Sequence, residues 1–338
     1  MSYIELRQIC KSYDDSQMIL KQVSLSIEKG EFVTLLGSSG CGKTTLLRSI
    51  AGLETVDEGE ILIDGVDVTH LNPRQRNLAM IFQQHSLFPT MTVQENVAFG
   101  LKMKKIPRPQ IYQRVQDTLE LVDLSGSEKK YPSQLSGGEQ QRVALARCIV
   151  TNPKVLLLDE PFSAIDAKLR RALQIKIKEI HTELGITSIF VTHDQEEAMR
   201  MSDRIYLMNE GRIEQSDTPM NLYLHPVSSY AAGFIGHYNM IPASAWSALV
   251  SCPDCDGWYA VRPENIEISA VPTQQKEDAF LLSGTIRQVI YQGNVVRYTV
   301  ELPGFELDID QLYEGQRSYG RGEIINMSID TKRVIHYA

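Results

Sequence analysis

Nine consecutive residues, Gly37-Ser38-Ser39-Gly40-Cys41-Gly42-Lys43-Thr44-Thr45, have the types and spacing of a phosphate cradle. Glycines let the backbone turn tightly, so that successive N–H groups point at phosphate oxygens while the next helix presents its positive N-terminus. In this pattern Lys43 reaches the β- and γ-phosphates and Thr44 offers its hydroxyl to Mg²⁺. The context the pattern needs is present: an apolar run, Phe32 to Leu36, precedes it, and a helical run from Thr45 to Ala51 ends at Gly52. Cys41 lies within the loop and is given no chemical part there.

Further candidates stand at the ends of apolar runs. Val155-Leu156-Leu157-Leu158 reads as a central parallel strand buried on both faces, and it delivers Asp159 and Glu160. An acidic pair at that place suits Asp159 as a holder of Mg²⁺ and Glu160 as the acceptor of a proton from an attacking water. Ser188-Ile189-Phe190-Val191 repeats the arrangement and delivers Thr192 and His193, the latter in reach of a γ-phosphate. Leu78-Ala79-Met80-Ile81-Phe82 reads as a third buried strand and delivers Gln83 and Gln84. Ligands in parallel α/β sheets sit at these carboxyl ends. Leu135-Ser136-Gly137-Gly138-Glu139-Gln140 opens a helix to Val150, with Ser136 as N-cap and two glycines that leave N–H groups accessible, a second phosphate site. Tyr13, beside Lys11, is an aromatic that can stack on an adenine ring.

The elements around these residues follow from periodicity. Ile4 to Leu6, Val23 to Ile27 and Gly59 to Gly65 alternate as half-buried strands, and Gln110 to Leu124 is helical with Val115, Leu119 and Val122 on one face. From about Asn239 helical spacing gives way to short strands and turns, a small β-barrel or sandwich. There Val296, Tyr298, Val300 and Leu302 face one way; Pro303-Gly304 turns the chain, and Phe305, Leu307 and Ile309 continue the alternation.

A chain of 338 residues implies more than one domain. A net charge of −8 argues against a nucleic-acid partner, and the basic residues Lys102, Lys104, Lys105 and Arg108 read as a solvated helix end. Five scattered cysteines lack a disulfide framework, and Cys252-Pro253-Asp254-Cys255 is only half a zinc site. The start of the chain has neither a basic segment nor an apolar core, so no signal peptide is expected. Tyr230 to Val250 has no charged residue of the Asp, Glu, Lys or Arg type, but glycines, Asn239 and Pro242 interrupt it, and it reads as a buried linker rather than a membrane span.

Taken in order, the phosphate loop, Gln83, the hexapeptide from Leu135, Leu156-Leu157-Leu158-Asp159-Glu160-Pro161 and His193 resemble an ATP-binding cassette (ABC) ATPase over roughly residues 1 to 235. The hexapeptide is the specific part, since other P-loop NTPases lack it. The resemblance implies an α/β P-loop NTPase fold: an ABC-type ATP-binding domain, residues 1–238, with a helical subdomain at about 88–150. A small all-β, barrel-like regulatory domain of the TOBE type follows at 239–338, marked by Val261-Arg262-Pro263-Glu264 and by Tyr291 to Tyr298.

It implies roles as well. Tyr13 resembles the adenine-stacking aromatic, Gln83 the lid glutamine that senses Mg²⁺, Glu160 the general base and His193 the switch histidine. Ser163-Ala164-Ile165-Asp166 resembles the loop between two nucleotide sites, with Ile165 where leucine is commoner. The nucleotide-contacting set then comprises Tyr13, Gly37 to Thr45, Gln83, Ser136, Gly137, Gly138, Gln140 and Asp166, and the metal-contacting set Thr44, Gln83 and Asp159.

In this family two cassettes pair head to tail, so that Ser136-Gly137-Gly138 of one closes over ATP held by the other, and one cassette per chain implies a homodimer. The implied cofactors are ATP and Mg²⁺. The implied partners are integral-membrane permease subunits and a periplasmic or extracellular solute-binding protein, with the chain peripheral to the cytoplasmic face of the membrane. Relatives by these motifs serve spermidine/putrescine, ferric iron, phosphonate, sulfate and sugar importers. Two other readings are weighed. A non-transport ABC protein of repair or translation would carry coiled-coil insertions or two cassettes per chain. A silent ATP-binding regulator would lack residues like Glu160 or His193. Neither pattern is present.

Overall fold

The computed structural model describes residues 2–13, 17–82, 87–163, 165–250, 256–269, 278–315 and 318–337. The expectations for Gln83, Ala164, Cys252 and Cys255 fall outside them. Contacts divide the chain into two units, Met1–Leu222 and Tyr223–Ala338. Residues 223–238 therefore cluster with the second unit, whereas the sequence reading draws its boundary after residue 238.

The first unit begins with β1 (Ile4–Ser12), β2 (Met18–Ile27) and β3 (Phe32–Gly37), then α1 (Lys43–Ala51), β4 (Glu58–Ile63), β5 (Val66–Asp67) and β6 (Leu78–Ile81). Three helices follow, α2 (Val93–Met103), α3 (Arg108–Leu121) and α4 (Gly137–Ile149). The chain returns through β7 (Val155–Asp159), α5 (Ala167–Leu184), β8 (Thr187–Thr192), α6 (Gln195–Met201), β9 (Arg204–Asn209), β10 (Arg212–Asp217) and α7 (Pro219–Leu224). Helix starts are set by capping: Thr92 with Glu95 and Ser136 with Glu139 form reciprocal boxes at α2 and α4, and Asp166 caps α5.

One sheet is antiparallel, in the order β2-β1-β4-β5; the other runs β10-β9-β3-β8-β7-β6, with β9, β3, β8, β7 and β6 parallel. β7 is buried throughout, as a strand covered on both faces must be. Its side chains divide by the two-residue period: Leu156 and Leu158 join the core with α2 to α5, while Val155 and Leu157 join the core shared by α1 and the antiparallel sheet. β6, expected to be buried, is an edge strand with Leu78, Ala79 and Met80 half-buried, because only β7 flanks it. The basic cluster falls where α2 ends and a turn follows, as a solvated helix end should.

Arg76 anchors the far end of α1. It is buried, and its guanidinium donates to the carbonyls of Ser49, Ile50, Thr69 and Leu71. Gly52, in the left-handed region at φ 75°, ends the helix beneath it; a Cβ there would lie 2.6 Å from Arg76 Nε.

The second unit contains α8 (Ser229–Phe234), β11 (Asn239–Pro242), α9 (Ala243–Ser247), β12 (Trp258–Val261), β13 (Ile266–Ser269), β14 (Ala279–Gln292), β15 (Val295–Leu302), β16 (Phe305–Leu312), β17 (Ile324–Asp330) and β18 (Ile335–Tyr337). The linker expected over 230–250 is instead α8, β11 and α9. The antiparallel sheets run β11-β12-β18 and β13-β17-β14-β15-β16. β14 pairs with β17 through its first half and β15 through its second, and a register shift between Ile286 and Gln288 increases its coil. The alternation holds: Val296, Tyr298, Val300, Leu302, Leu307 and Ile309 enter one core.

At the centre of that core Trp246 is 0% exposed, stacked on Tyr259 and edge-on to Phe280. Trp246→Ala is expected to destabilise the second unit by about 3–5 kcal/mol. The check is the chemical-denaturation midpoint of this unit; an unchanged midpoint would mean that the ring does not organise this core.

Candidate active site

The carboxyl ends of β3, β7 and β8 lie side by side, since Leu36 pairs with Thr192 and Asp159 with Val191 across parallel strands. Three short segments leave this edge: Gly37 to Gly42, Glu160 to Asp166, and His193 with Asp194. Asp159, Glu160 and His193 thus follow the ends of adjacent strands, with Lys43 and Thr44 at the start of α1 beyond β3; Gln83, read from the sequence as part of the same row, lies outside the described residues.

The loop after β3 needs its glycines. Gly40 and Gly42 have φ of 84° and 100°, in the region that favours glycine, and Gly42 precedes the first turn of α1. A Cβ on Gly40 would meet nothing within 4 Å, so its backbone faces open space. Lys43 is buried, and its Nζ donates to the carbonyls of Gly37 at 2.8 Å and Ser38 at 2.7 Å. The ammonium therefore sits inside the loop, with Cys41 Sγ 3.7 Å away. Such a loop, glycine-rich, at a helix N-terminus and with a cation at its centre, fits a polyphosphate. Thr45, in the same turn of α1, places its Oγ1 3.4 Å from the Tyr13 hydroxyl. Tyr13 is 58% exposed, and the strand behind it is pinned by Asp57, which accepts from Lys11 Nζ and the Ser12 N–H. A ring so placed can take an adenine on its face.

Thr44 Oγ1 donates to Asp159 Oδ1 at 3.1 Å. Burial pushes the Asp159 carboxyl above its ordinary pKa, with the Thr44 hydrogen bond opposing. Arg48 and Lys43 act on this carboxylate from a distance, more weakly than its burial, and a carboxylate beside a hydroxyl is a donor set that fits Mg²⁺, which keeps several waters and takes few protein oxygens. Among the described residues no group of three His, Cys, Asp or Glu side chains converges on a metal-sized site.

The raised pKa has a thermal consequence. The folded state then binds the Asp159 proton more tightly than the unfolded chain, so its contribution to stability is full below the unfolded pKa near 3.8 and lost as pH rises through the higher folded value. At neutral pH the charge weakens the ligand-free fold. Asp159→Asn, which keeps the acceptor for Thr44, is expected to raise the melting temperature of the free chain at pH 7 while removing metal-dependent activity. A lower melting temperature in calorimetry would contradict this balance.

Glu160 follows β7 in a left-handed conformation, φ 43°, held by its N–H bond to the Val191 carbonyl at 3.1 Å. A non-glycine residue there is strained by roughly 1–3 kcal/mol, and such strain gathers at functional sites. Its Oε1 lies 3.4 Å from His193 Nδ1, which brings the two residues together as a pair.

Ser136, Gly137, Gly138 and Gln140 stand at the start of α4, which packs mainly on α2, α3, α5 and β6. Among the described residues no hydrogen bond joins them to the phosphate loop. Ser136 is the N-cap of α4: its Oγ donates to Glu139 Oε2 at 2.8 Å and accepts from the Glu139 N–H at 3.3 Å. Gln140 Nε2 donates to the carbonyls of Pro132 and Leu135, fixing the approach to the helix. The two glycines differ. A Cβ on Gly138 would lie 2.4 Å from Leu169 on α5, whereas one on Gly137 would meet nothing within 4 Å. Packing requires the first; the second leaves the capped start of α4 exposed. Asp166 caps α5 by accepting from the Leu169 N–H at 3.0 Å.

A polar cluster under His193 escaped the sequence reading. Glu197 is buried, accepts from Thr192 Oγ1 at 2.7 Å, and is pushed above the usual carboxylate pKa by that burial. Only the Thr192-His193-Asp194 turn followed by acidic residues signalled it, and that looks like an ordinary helix start.

Similar proteins identify the family. The ABC transporter family model matches residues 20–163 and the TOBE domain model residues 259–334. A spermidine/putrescine import ATP-binding protein, PotA, of Acidothermus cellulolyticus is 46% identical over 320 residues, covering 88% of this chain and 83% of that protein. The Fe(3+) ions import ATP-binding protein FbpC of Escherichia coli K12 is 43% identical over 318 residues, covering 90% and 89%. Among solved structures, cbiO1 of Clostridium perfringens, part of the ABC transporter complex cbiONQ, superposes with a TM-score of 0.63 at 29% identity, covering 66% of this chain and 91% of that one. The dimeric ATP-binding cassette MJ0796, in a post-hydrolysis state with ADP and Pi, gives 0.58 at 33% identity over 64% and 98%. With phosphate loop, acidic pair and histidine assembled on one sheet edge, and relatives matched across most of its length, the chain belongs to the ABC transporter family as an ATP-hydrolysing import subunit with a C-terminal TOBE domain.

Proposed function

We propose that two copies of this chain close on two ATP molecules, each lying between the phosphate loop of one copy and the start of α4 of the other. The observation that carries this reading is the exposed start of α4 at Gly137, where even an added Cβ would meet no described atom within 4 Å. Lys43, held at the centre of the loop by the Gly37 and Ser38 carbonyls, would donate to the phosphate oxygens, while Tyr13 stacks on the base. Thr44 and Asp159 would hold Mg²⁺, and bound Mg²⁺ supplies charge neutralisation on the transferring phosphoryl oxygens. Glu160 takes a proton from the attacking water. His193, beside it, orients that carboxylate and reaches the terminal phosphate. Gln83 is assigned to the lid and to metal sensing by resemblance alone.

Closure and reopening would be passed to integral-membrane permease subunits near residues 84–96, with a periplasmic or extracellular protein presenting the solute and the chain held peripherally at the cytoplasmic face. No described helix is long and apolar enough to cross a membrane, which suits attachment through partners. Relatives named for spermidine/putrescine and for Fe(3+) are matched almost equally. Solute choice is therefore assigned to the partners, and the second unit to docking or regulation.

The experiment is ATPase activity against protein concentration, for the native chain and for Ser136→Arg. A rise steeper than linear that the substitution abolishes is expected. Linear activity untouched by Ser136→Arg would mean that each chain works alone.

A further inference from the structure

The hydrolytic pair has a tie beneath it that the mechanism above does not use. Arg170 lies in the first turn of α5, just after the 160–166 segment. Its Nη2 donates to the Ile165 carbonyl at 3.1 Å, its Nη1 is 3.6 Å from Asp194 Oδ2, and its Nε is 3.8 Å from Glu197 Oε1. Both carboxylates are bound to the turn that carries His193. Glu197 accepts from Thr192 Oγ1 at 2.7 Å; the Asp194 N–H donates to the same hydroxyl at 3.0 Å, and the Glu197 N–H donates to Asp194 Oδ1 at 3.1 Å. A cavity of about 100 Å³ opens among these groups, lined by Glu160, Ser163, Arg170, Thr192, His193 and Glu197. One guanidinium thus joins the segment leaving β7 to the segment leaving β8, the two that carry Glu160 and His193.

We propose that Arg170 is a positioning residue for ATP hydrolysis, bridging the Ile165 carbonyl to Asp194 and Glu197 so that Glu160 and His193 keep their mutual placement. The inference rests on the assignment of those two residues as the hydrolytic pair. An arginine is what the place requires: a planar fork addresses a carbonyl and two carboxylates at once, whereas an ammonium is a point charge. The Nε–H of Arg170 makes no hydrogen bond, although it is buried, and its distance to Glu197 is that of an ion pair still loosely drawn. Arg170 also touches neither the phosphate loop nor Tyr13 in the bonds it makes, so its loss should spare nucleotide binding.

The test compares Arg170→Met, Arg170→Lys and Glu160→Gln in the full-length chain, reading kcat and KM for ATP, nucleotide affinity and melting temperature. Arg170→Met is expected to lose roughly ten- to a hundredfold in kcat, the scale of a small misplacement of reacting groups. KM is expected to stay within about twofold, because ground-state binding is untouched. Arg170→Lys should fall between the two, since it keeps the charge but not the fork, and it carries the same test if the methionine variant does not fold. Unchanged kcat in Arg170→Met, or a lysine variant equal to the native chain, overturns the bridging role. So does a fall in kcat matched by lost nucleotide affinity and a lowered melting temperature, which would mark a purely structural residue. A fully active Glu160→Gln would overturn the underlying pair and this inference together; an inactive Glu160→Gln beside a fully active Arg170→Met overturns the inference alone.

Discussion

Glu160→Gln is expected to lower ATP turnover by roughly a hundred- to ten-thousandfold, the usual contribution of a positioned base, while nucleotide binding survives. The amide is isosteric with the carboxylate and cannot accept the proton of an attacking water. Nothing else at the position need change, since the strained backbone is held by the Glu160 N–H bond to Val191, which a side-chain substitution leaves in place. His193 keeps an oxygen or an amide partner at the same distance. With binding intact and hydrolysis blocked, the closed dimer should accumulate. Size-exclusion chromatography with ATP and Mg²⁺ reads this directly: a variant that stays monomeric while the native chain hydrolyses normally would remove Glu160 from the role of base.

The second large effect is expected at Lys43. Its ammonium is bonded to the Gly37 and Ser38 carbonyls, so the cation stands at the centre of the loop. Lys43→Ala removes two charge-assisted hydrogen bonds to phosphate, and affinity for ATP should fall roughly a hundredfold or more. Of the two carbonyls freed by it, that of Ser38 belongs to an exposed residue and can be hydrated, whereas that of Gly37 is buried, so some loss of stability is expected beside the loss of affinity. Titration with a fluorescent nucleotide decides the matter, and undiminished affinity would refute the cradle.

What the sequence made legible and what it hid divide along one line. The phosphate loop is a contiguous run whose glycines and lysine act through backbone geometry, so nine adjacent letters carry most of its chemistry. Asp159 and Glu160 were legible because Val155 to Leu158 is apolar at every position, as only a strand covered on both faces can be. The cluster of Arg170, Asp194 and Glu197 was not, because its parts lie on two helices and no single stretch announces their meeting. β6 looked as apolar as β7, yet it lies at the sheet edge, since strand order is set by crossovers rather than composition. The 230–250 stretch was misjudged as a linker for a related reason: short elements such as β11 and α9 acquire their order from a core built by distant residues, with Trp246 against Phe280.

Arg76 and Gly52 carry a consequence for how such cassettes diverge. The guanidinium fills the volume that any side chain at position 52 would need, and its donors close the carbonyls at the end of α1. A larger residue at 52 would evict the guanidinium, and a smaller residue at 76 would leave buried carbonyls without donors. Substitution at either place alone is therefore selected against, and across lineages the two positions should vary together or remain fixed together, a pattern of paired inheritance that their 24-residue separation in the chain would otherwise give no reason to expect.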